Sequence, residues 1–275
     1  MQIDILTLFP EMFSGPFGHS IIKRARENSL IDLELINIRD FSNNKHHTVD
    51  DTPYGGGAGM VMAAGPILGA AEWIKSRRGG IGRFIYLSPA GEQLTQQKVR
   101  ELSRESRLVL LCGHYEGIDE RVRELLVTDE ISIGDYVLTG GELPAMVLVD
   151  AVARLIPGVL GEGASAEEDS FSDGLLEYPH YTRPRAYQGL EVPEVLLNGH
   201  HEQIRLWRRR QSLLRTLERR PELLAEAELT EEDRVILKQV VLELEGLGLP
   251  AEIGKRKKRG REPGRNPESR IQNPE

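Results

Sequence analysis

Short apolar runs alternate with helical patterns through residues 1–160, and no other feature of the sequence constrains the fold as strongly. The helical patterns cover 65–76 and 95–106, and Thr95 is placed to cap the second. Two of the four apolar runs are continuously apolar, as strands covered on both faces of a parallel sheet are. The runs are 3–9 (IDILTLF), 33–38 (LELINI), 84–87 (FIYL) and 108–112 (LVLLC). Strands that alternate with helices predict an α/β domain, with right-handed crossovers as the default topology.

Length and composition are those of an ordinary folded protein. The chain has 275 residues, 39% hydrophobic and 28% charged, which fits one large domain or two smaller ones. The single cysteine, Cys112, excludes an intramolecular disulfide and is typical of a reducing compartment. Because Cys112 ends an apolar run, we expect a buried small hydrophobic residue rather than a nucleophile.

Neither a secretory signal nor a membrane span is predicted. The first residues, MQIDILTLFPEMF, lack a basic region and a small-residue cleavage site. The longest mostly apolar stretch, 146–160, is interrupted by Asp150, Arg154 and Pro157, which excludes a transmembrane helix. A cytoplasmic location is therefore expected.

Beyond residue 160 the character of the sequence changes three times. Residues 161–174 (GEGASAEEDSFSDG) are small and acidic, which predicts a flexible linker. Residues 175–249 are predicted to form a small helical domain, in which Thr230 and Asp233 resemble a capping box. Glycine, proline and charge in 250–275 predict a disordered tail. The helical spacing is carried by Ile204, Trp207, Leu214, Leu217, Ile236, Val240, Val241 and Leu244.

The net charge of −8, taken as a sum, argues against a nucleic-acid partner, whose phosphates would be repelled. Its distribution weakens that argument, because residues 254–275 carry +5 and the rest of the chain carries −13. Arginines also surround the predicted helix near 203–220, either as a phosphate-binding surface or as a solvated amphipathic face. They are Arg205, Arg208, Arg209, Arg210, Arg215, Arg219 and Arg220.

Three glycine-bearing loops lie where α/β domains bind ligands. Loops 88–91 (SPAG) and 112–117 (CGHYEG) each follow a predicted strand, and 133–144 (IGDYVLTGGELP) is the third. The sequence contains neither G-x-G-x-x-G after a strand nor G-x-x-x-x-G-K-[ST]. The loops contain no lysine, which favours an adenine- or nucleoside-type ligand over a triphosphate. Plain turn glycines are the alternative.

Four other features have competing interpretations. The glycine cluster 55–59 follows no strand, so we expect a tight structural or substrate-contacting loop rather than a phosphate cradle. The adjacent histidines at 46–47 and 200–201 lack zinc-ligand spacing, and no metal site is predicted. Arg154 lies in an apolar helix-like stretch, where it is either an ion-paired core residue or faces an anion. Asp169, in the acidic linker, is by default a solvated carboxylate.

Seven long motifs together resemble the bacterial tRNA (guanine-N1)-methyltransferase family, whose members methylate the guanine immediately 3′ of the anticodon, position 37. The resemblance runs from residue 1 to about 245 and leaves the tail from 250 outside it. The motifs are TLFPEMF (7–13), KHHTVDDTPYGGGAGM (45–60), YLSPAGEQLTQ (86–96), LCGHYEGIDERV (111–122), ISIGDYVLTGGELPAMVLVDAVARLIPGVLG (131–161), SAEEDSFSDGLLEYPHYTRP (165–184) and VPEVLLNGHHEQIRLWRRRQSLLRTLERRPELL (192–224).

The resemblance implies a SPOUT fold, an α/β domain threaded into a deep trefoil knot and followed by a small helical domain. Such a knot is a rare exception to the unknotted default. The glycine loops would bind S-adenosylmethionine, and the enzyme would be a homodimer whose protomers share each active site. The implied cofactor residues are Leu87, Pro89, Gly113, Glu116, Gly117, Ile133, Gly134, Asp135, Tyr136, Val137, Leu138, Gly140, Gly141 and Pro144.

The resemblance also implies roles in chemistry and tRNA binding. Asp169 would be the general base for the guanine N1 proton, and Arg154 would position the base and stabilise charge on O6. The tail would add an auxiliary tRNA contact. Mg²⁺ dependence is attributed to the family, but no ligand motif is visible. The implied tRNA-binding residues are Arg205, Arg208, Arg209 and Arg215.

Two other functions compete with this one: methylation of a different RNA by the same knotted fold, and RNA binding without catalysis. The motifs at 165–174 and 199–210 favour the tRNA enzyme. Arg154, Asp169 and the intact glycine loops count against a protein that has lost its chemistry.

Overall fold

The computed structural model describes residues 1–160 and 169–246, with side chains described to residue 243. The chain divides into two compact units, Met1–Ser172 and Asp173–Glu275, here called unit 1 and unit 2. Most of the predicted linker and the whole predicted tail lie outside the described residues. In the described part, no helix is long and apolar enough to cross a membrane.

Unit 1 is built on a five-stranded parallel sheet with strand order β2-β1-β6-β5-β7. The predicted α/β class with a parallel sheet is therefore confirmed, and the four predicted runs are four of its strands. The fifth, β7, was not predicted, because its residues (DEIS) mix charged and apolar types. The strands of unit 1 are β1 (Gln2–Thr7), β2 (Asp32–Asn37), β3 (Asp50–Asp51), β4 (Val61–Met62), β5 (Arg83–Gln93), β6 (Arg107–Cys112) and β7 (Asp129–Ser132), of which β3 and β4 form a separate antiparallel pair.

Apolar side chains of β6 pack on both faces of the sheet, as its continuous hydrophobic run predicts. Leu108, Leu110 and Cys112 belong to one core cluster, and Val109 and Leu111 belong to the other. Burial raises the pKa of the Cys112 thiol well above its ordinary value. The expectation of a buried hydrophobic cysteine is confirmed.

Six helices connect and cover the strands of the described part of unit 1. Thr95 caps α4 as predicted, because its hydroxyl accepts a hydrogen bond from the Lys98 backbone N–H at 3.2 Å. The short helices α1, α2 and α5 were not predicted. The helices are α1 (Ser14–Phe17), α2 (Ser20–Glu27), α3 (Ala64–Arg78), α4 (Gln96–Ser103), α5 (Glu120–Leu126) and α6 (Glu142–Ala153), with 3₁₀ turns at Pro10–Phe13 and Ile38–Phe41.

A buried ion cluster joins the end of α3 to β1 and β2. The Arg78 guanidinium donates to Asp4 at 3.0 Å, Asp32 at 2.5 Å and Glu34 at 2.9 Å. Asp4 is fully buried, and its Oδ2 has no hydrogen-bond partner among the described residues. Burial raises the pKa of Asp4, and the shared charge of Arg78 offsets only part of that rise.

Unit 2 packs three helices around a small core that includes Leu175, Leu213 and Val240. The capping box at α9 is confirmed: Asp233 N–H donates to Thr230 Oγ1 at 3.2 Å, and Thr230 N–H donates to Asp233 Oδ2 at 2.9 Å. The elements are β8 (Ala186–Tyr187), β9 (Leu190–Glu191), a 3₁₀ turn (Glu194–Leu196), α7 (His201–Arg219), α8 (Pro221–Glu226) and α9 (Glu231–Gly246).

Candidate functional site

A cavity in unit 1 opens at the carboxyl ends of β5, β6 and β7, where open α/β sheets bind ligands. It encloses about 890 Å³, its open mouth included. Three loops surround it: 88–91, 113–117 and 133–141. The lining residues are Tyr86, Leu87, Ser88, Pro89, Gly113, His114, Tyr115, Glu116, Gly117, Arg123, Ile131, Ser132, Ile133, Gly134, Tyr136, Val137, Leu138, Thr139, Gly140, Gly141 and Pro144.

The first loop is an excursion from the sheet. Leu87 and Glu92 of β5 both pair with Ile131 of β7, so residues 88–91 leave the ladder and return to it. A Cβ on Gly91 would collide with the backbone of Glu130 and Ile131. Glycine is therefore required where this loop crosses β7.

The third loop folds back onto the end of β6. Gly140 forms an antiparallel bridge with His114, and the Gly141 N–H donates to the Gly113 carbonyl at 2.8 Å. A Cβ on Gly141 would lie only 2.6 Å from Cys112 Cα. The close backbone approach that shapes the cavity therefore depends on the missing side chain.

A buried hydrogen-bond chain holds this loop from behind. The Thr7 hydroxyl at the end of β1 donates to Glu142 Oε1 at 2.8 Å, and the Phe9 N–H donates to Thr7 Oγ1 at 2.9 Å. Thr7 and Glu142 are both buried, and the ring of Phe9 lies 5.1 Å from that of His114. The ends of β1 and β6 and the start of α6 are thereby fixed together.

The lining of the cavity has little net charge. Glu116 and Arg123 are its charged residues, and it contains no lysine. The Arg123 guanidinium lies 5.1 Å from the centre of the Tyr86 ring, and burial raises the pKa of the Tyr86 hydroxyl. Such a lining suits a ligand without phosphate groups.

The cavity brings together 13 of the 14 residues for which the sequence predicted cofactor binding. The exception is Asp135, which is exposed and does not line it. Four of the residues that were missed lie in or beside the predicted loops, so loop membership was the signal for them: Ser88, His114, Tyr115 and Thr139. The others, Tyr86, Arg123, Ile131 and Ser132, lie on or near strands and are placed by the fold alone.

Arg154 and Asp169 form an ion pair within unit 1, Arg154 Nη2 donating to Asp169 Oδ2. Arg154 follows the last residue of α6, and both side chains are about one-third exposed. Arg154 is thus the ion-paired residue of the two alternatives, and Asp169 is more than a solvated carboxylate. A carboxylate and a guanidinium that solvent can reach are also available to a bound base.

Arg205 and Arg209, two of the four arginines predicted to bind tRNA, form ion pairs inside unit 2. Arg205 donates to Glu202 at 2.8 Å and to Glu232 at 2.9 Å. Arg209 pairs with Asp173 and donates to Asp233 at 2.6 Å, and these bonds hold the pKa of Asp233 at about 2.

The other two arginines also have contacts in unit 2. Arg208 stacks on the ring of Tyr178, its guanidinium 4.7 Å from the ring centre. Arg215 donates to the backbone carbonyl of Glu177 at 3.0 Å. The arginine-rich face of α7 therefore stabilises unit 2, a role that helical spacing does not reveal.

The glycine cluster 55–59 is a tight turn whose end contacts the cavity loops. Four of its glycines have positive φ, and the Glu116 N–H donates to the Met60 carbonyl at 3.0 Å. Within residues 1–160 and 169–246, no group of His, Cys, Asp or Glu is arranged to hold a metal ion.

The family described as tRNA (Guanine-1)-methyltransferase TrmD matches residues 1–226. A protein of Desulforamulus reducens named tRNA (guanine-N(1)-)-methyltransferase is 70% identical over 248 residues, 90% of this chain and 96% of its own. Proteins of the same name from Pelotomaculum thermopropionicum and Desulforudis audaxviator are 68% and 60% identical, each over 90% of this chain and 100% of their own. Both the family match and the relatives cover most of the sequence, so the chain belongs to the tRNA (guanine-1)-methyltransferase TrmD family.

Proposed function

We propose that this chain transfers a methyl group from S-adenosylmethionine to N1 of the guanine at tRNA position 37, releasing 1-methylguanosine in tRNA and S-adenosylhomocysteine. Membership of its family makes it a methyltransferase of guanine N1 in tRNA, with a methyl donor of the S-adenosylmethionine kind. The Arg154–Asp169 pair carries the finer proposal, because it joins a carboxylate and a cation in the unit that holds the glycine-lined cavity.

The cavity fits S-adenosylmethionine by the chemistry of its lining. Glycines open the backbone to close approach, and the exposed side chains of Tyr136, Val137 and Leu138 offer apolar surface for a ligand to cover. When bound, this cofactor supplies an electrophilic methyl group on a positively charged sulfur. The described residues do not form a Mg²⁺ site, and no step of the proposal passes through that ion.

Asp169 and Arg154 together can remove the proton that makes guanine N1 a poor nucleophile. An ordinary aspartate, with a pKa of about 3.9, is a weak base for this proton, and each unit of mismatch costs about 1.36 kcal/mol. A cation beside O6 lowers the mismatch by stabilising the deprotonated guanine. We infer that guanine O6 takes over the donors of Arg154, which releases the Asp169 carboxylate to accept the N1 proton. The N1 edge becomes reachable when the base is flipped out.

Two larger features belong to the proposal. A deep trefoil knot in unit 1 is supported by the passage of loop 133–141 against the end of β6, where Gly140 and Gly141 contact His114 and Gly113. A homodimer with shared active sites is supported by apolar surface on α6, where Leu143 and Val147 are 50% and 47% exposed. Arg205 and Arg208 keep solvent-facing surface and are proposed to contact tRNA phosphates, whereas Arg209 and Arg215 hold unit 2 together.

Replacing Gly141 by alanine is expected to weaken S-adenosylmethionine binding about 10-fold or more. The backbone angles of Gly141 suit alanine, so the effect comes from the collision of the new Cβ with Cys112, and overpacking typically costs about 1–3 kcal/mol. Calorimetric titration of the variant measures it. Gly65→Ala on α3 is the matched control, since nothing lies within 4 Å of its Cβ, and unchanged affinity in both variants would contradict the role of the close approach.

Methyl transfer to two tRNA transcripts tests the proposed function. One carries guanine and the other adenine at position 37, and labelled S-adenosylmethionine reports the product. Label is expected in the guanine transcript alone, with 1-methylguanosine recovered after nuclease digestion. Equal labelling of both transcripts, or of neither, would refute the proposal.

A further inference from the structure

Residues 181–190 of unit 2, here called the arginine–tyrosine segment, are exposed along their whole length. Their sequence, YTRPRAYQGL, carries two arginines and two tyrosines. The last part is the β8–β9 hairpin, whose turn at Gln188 and Gly189 has φ values of 52° and 82°. The Val192 N–H closes the base of the hairpin by donating to the Arg185 carbonyl at 2.9 Å. The segment is thus an ordered projection of unit 2.

The cations of this segment differ from those of α7 in having no carboxylate beside them. Among the described residues, neither Arg183 nor Arg185 forms an ion pair or a side-chain hydrogen bond, whereas Arg205 and Arg209 each bind two carboxylates. Two exposed guanidinium groups without a neighbouring acid form a local positive surface. Its complement is a row of phosphates.

The tyrosines supply a second kind of contact. Tyr187 is 65% exposed and, within the described residues, has no ring partner. Tyr181 is 48% exposed, and its ring lies 6.3 Å from that of Trp207 on α7. An exposed aromatic ring next to free arginines is the arrangement that binds unpaired nucleotides, because the ring stacks on a base that has left its own stack.

We propose that the arginine–tyrosine segment binds unpaired nucleotides of the tRNA substrate. Arg183 and Arg185 contact the phosphates, and Tyr187 stacks on a base. This inference rests on the proposed function, because it takes tRNA as the substrate. It assigns the salt-dependent part of tRNA binding in unit 2 chiefly to this segment rather than to the paired arginines of α7.

The salt dependence of tRNA binding tests the arginines. In Arg183→Gln/Arg185→Gln, the slope of log affinity against log salt is expected to fall by about 1.4–1.8, for two lost phosphate contacts. Lys75→Gln/Arg77→Gln removes the same charge from exposed positions of α3 and should keep the wild-type slope. An unchanged slope in the segment variant, or an equal fall in the α3 control, would overturn the proposal, as would a fall seen only in Arg205→Gln/Arg208→Gln.

Tyr187 is tested by substitutions that separate its ring from its hydroxyl. Tyr187→Ala should weaken tRNA binding by about 5- to 150-fold, the range for one lost stacking contact, while Tyr187→Phe should bind nearly as wild type. In both variants kcat at saturating tRNA should be retained, and the loss should appear in KM. Wild-type binding by Tyr187→Ala would remove the stacking role. Failure of the wild-type enzyme to methylate the guanine-37 transcript would instead refute the proposed function.

Discussion

Asp169→Asn is expected to lower the rate of methyl transfer by about 10²- to 10⁴-fold, the range for losing a general base. Asparagine preserves the shape of the side chain, and its amide oxygen can still accept the hydrogen bond from Arg154. It cannot take up the N1 proton of guanine, however. The affinity for S-adenosylmethionine should stay within about twofold, because Asp169 does not line the cavity. Single-turnover transfer and calorimetric titration measure the two quantities.

The control for lost charge is Asp40→Asn, which removes an exposed carboxylate from the 3₁₀ turn after β2 and should leave both quantities unchanged. A large loss of cofactor affinity in Asp169→Asn would contradict the assignment of Asp169 as base. So would a rate close to that of the wild type. A pH profile adds a readout that a merely structural residue would not alter, since the wild-type rate should fall as Asp169 becomes protonated and the residual rate of the variant should not.

Arg78→Met is expected to destabilise the protein by about 3–5 kcal/mol, the cost of leaving a buried charge without its partner. Asp4 has no exposed surface, and Arg78 is the guanidinium that binds it. For a unit of this size, the loss corresponds to a fall in Tm of about 10 °C. Differential scanning calorimetry of the whole chain measures it.

Arg77→Met is the matched control, one residue earlier on α3. Arg77 is 56% exposed and has one ion pair, with Glu34 at 3.5 Å, so its loss should cost less than about 1 kcal/mol. Asp4→Asn combined with Arg78→Met should recover part of the stability, because the uncompensated charge is gone. Equal effects of the two single substitutions would show that the buried cluster contributes no more than a surface pair.

The same cluster predicts a pH dependence in the variant. The pKa of Asp4 is already raised by burial in the wild type, and losing Arg78 removes the main influence that lowers it. A raised pKa in the folded state means that the fold binds the proton more tightly than the unfolded chain does. The stability of Arg78→Met should therefore be highest in acid and should fall as pH rises through the folded pKa of Asp4.

Local sequence was enough for the parts of the fold whose signals are short-range. Continuous apolar runs predicted β5 and β6, Thr95 predicted the start of α4, and the spacing of Thr230 and Asp233 predicted the capping box of α9. Strand β7 was missed, because four mixed residues carry no periodicity and are a strand only through their pairing with β5.

The candidate site divides in the same way. Glycine-rich stretches at strand ends indicated the cavity loops, because backbone freedom is a property of residue type. The ion pair of Arg154 with Asp169 and the carboxylates that occupy Arg205 and Arg209 depend on contacts across 15 to 36 residues of sequence. No helical or strand period records such contacts.

The sequence by itself determined the alternating α/β order, the positions of the glycine loops and the family to which the motifs belong, because each is written in the residue types of a short segment. The tertiary structure decided which charges remain available. It placed acids against the arginines of α7 and left Arg183 and Arg185 without them. Charge along a chain is additive, but the field at a surface depends on which opposite charges the fold brings within a few ångströms.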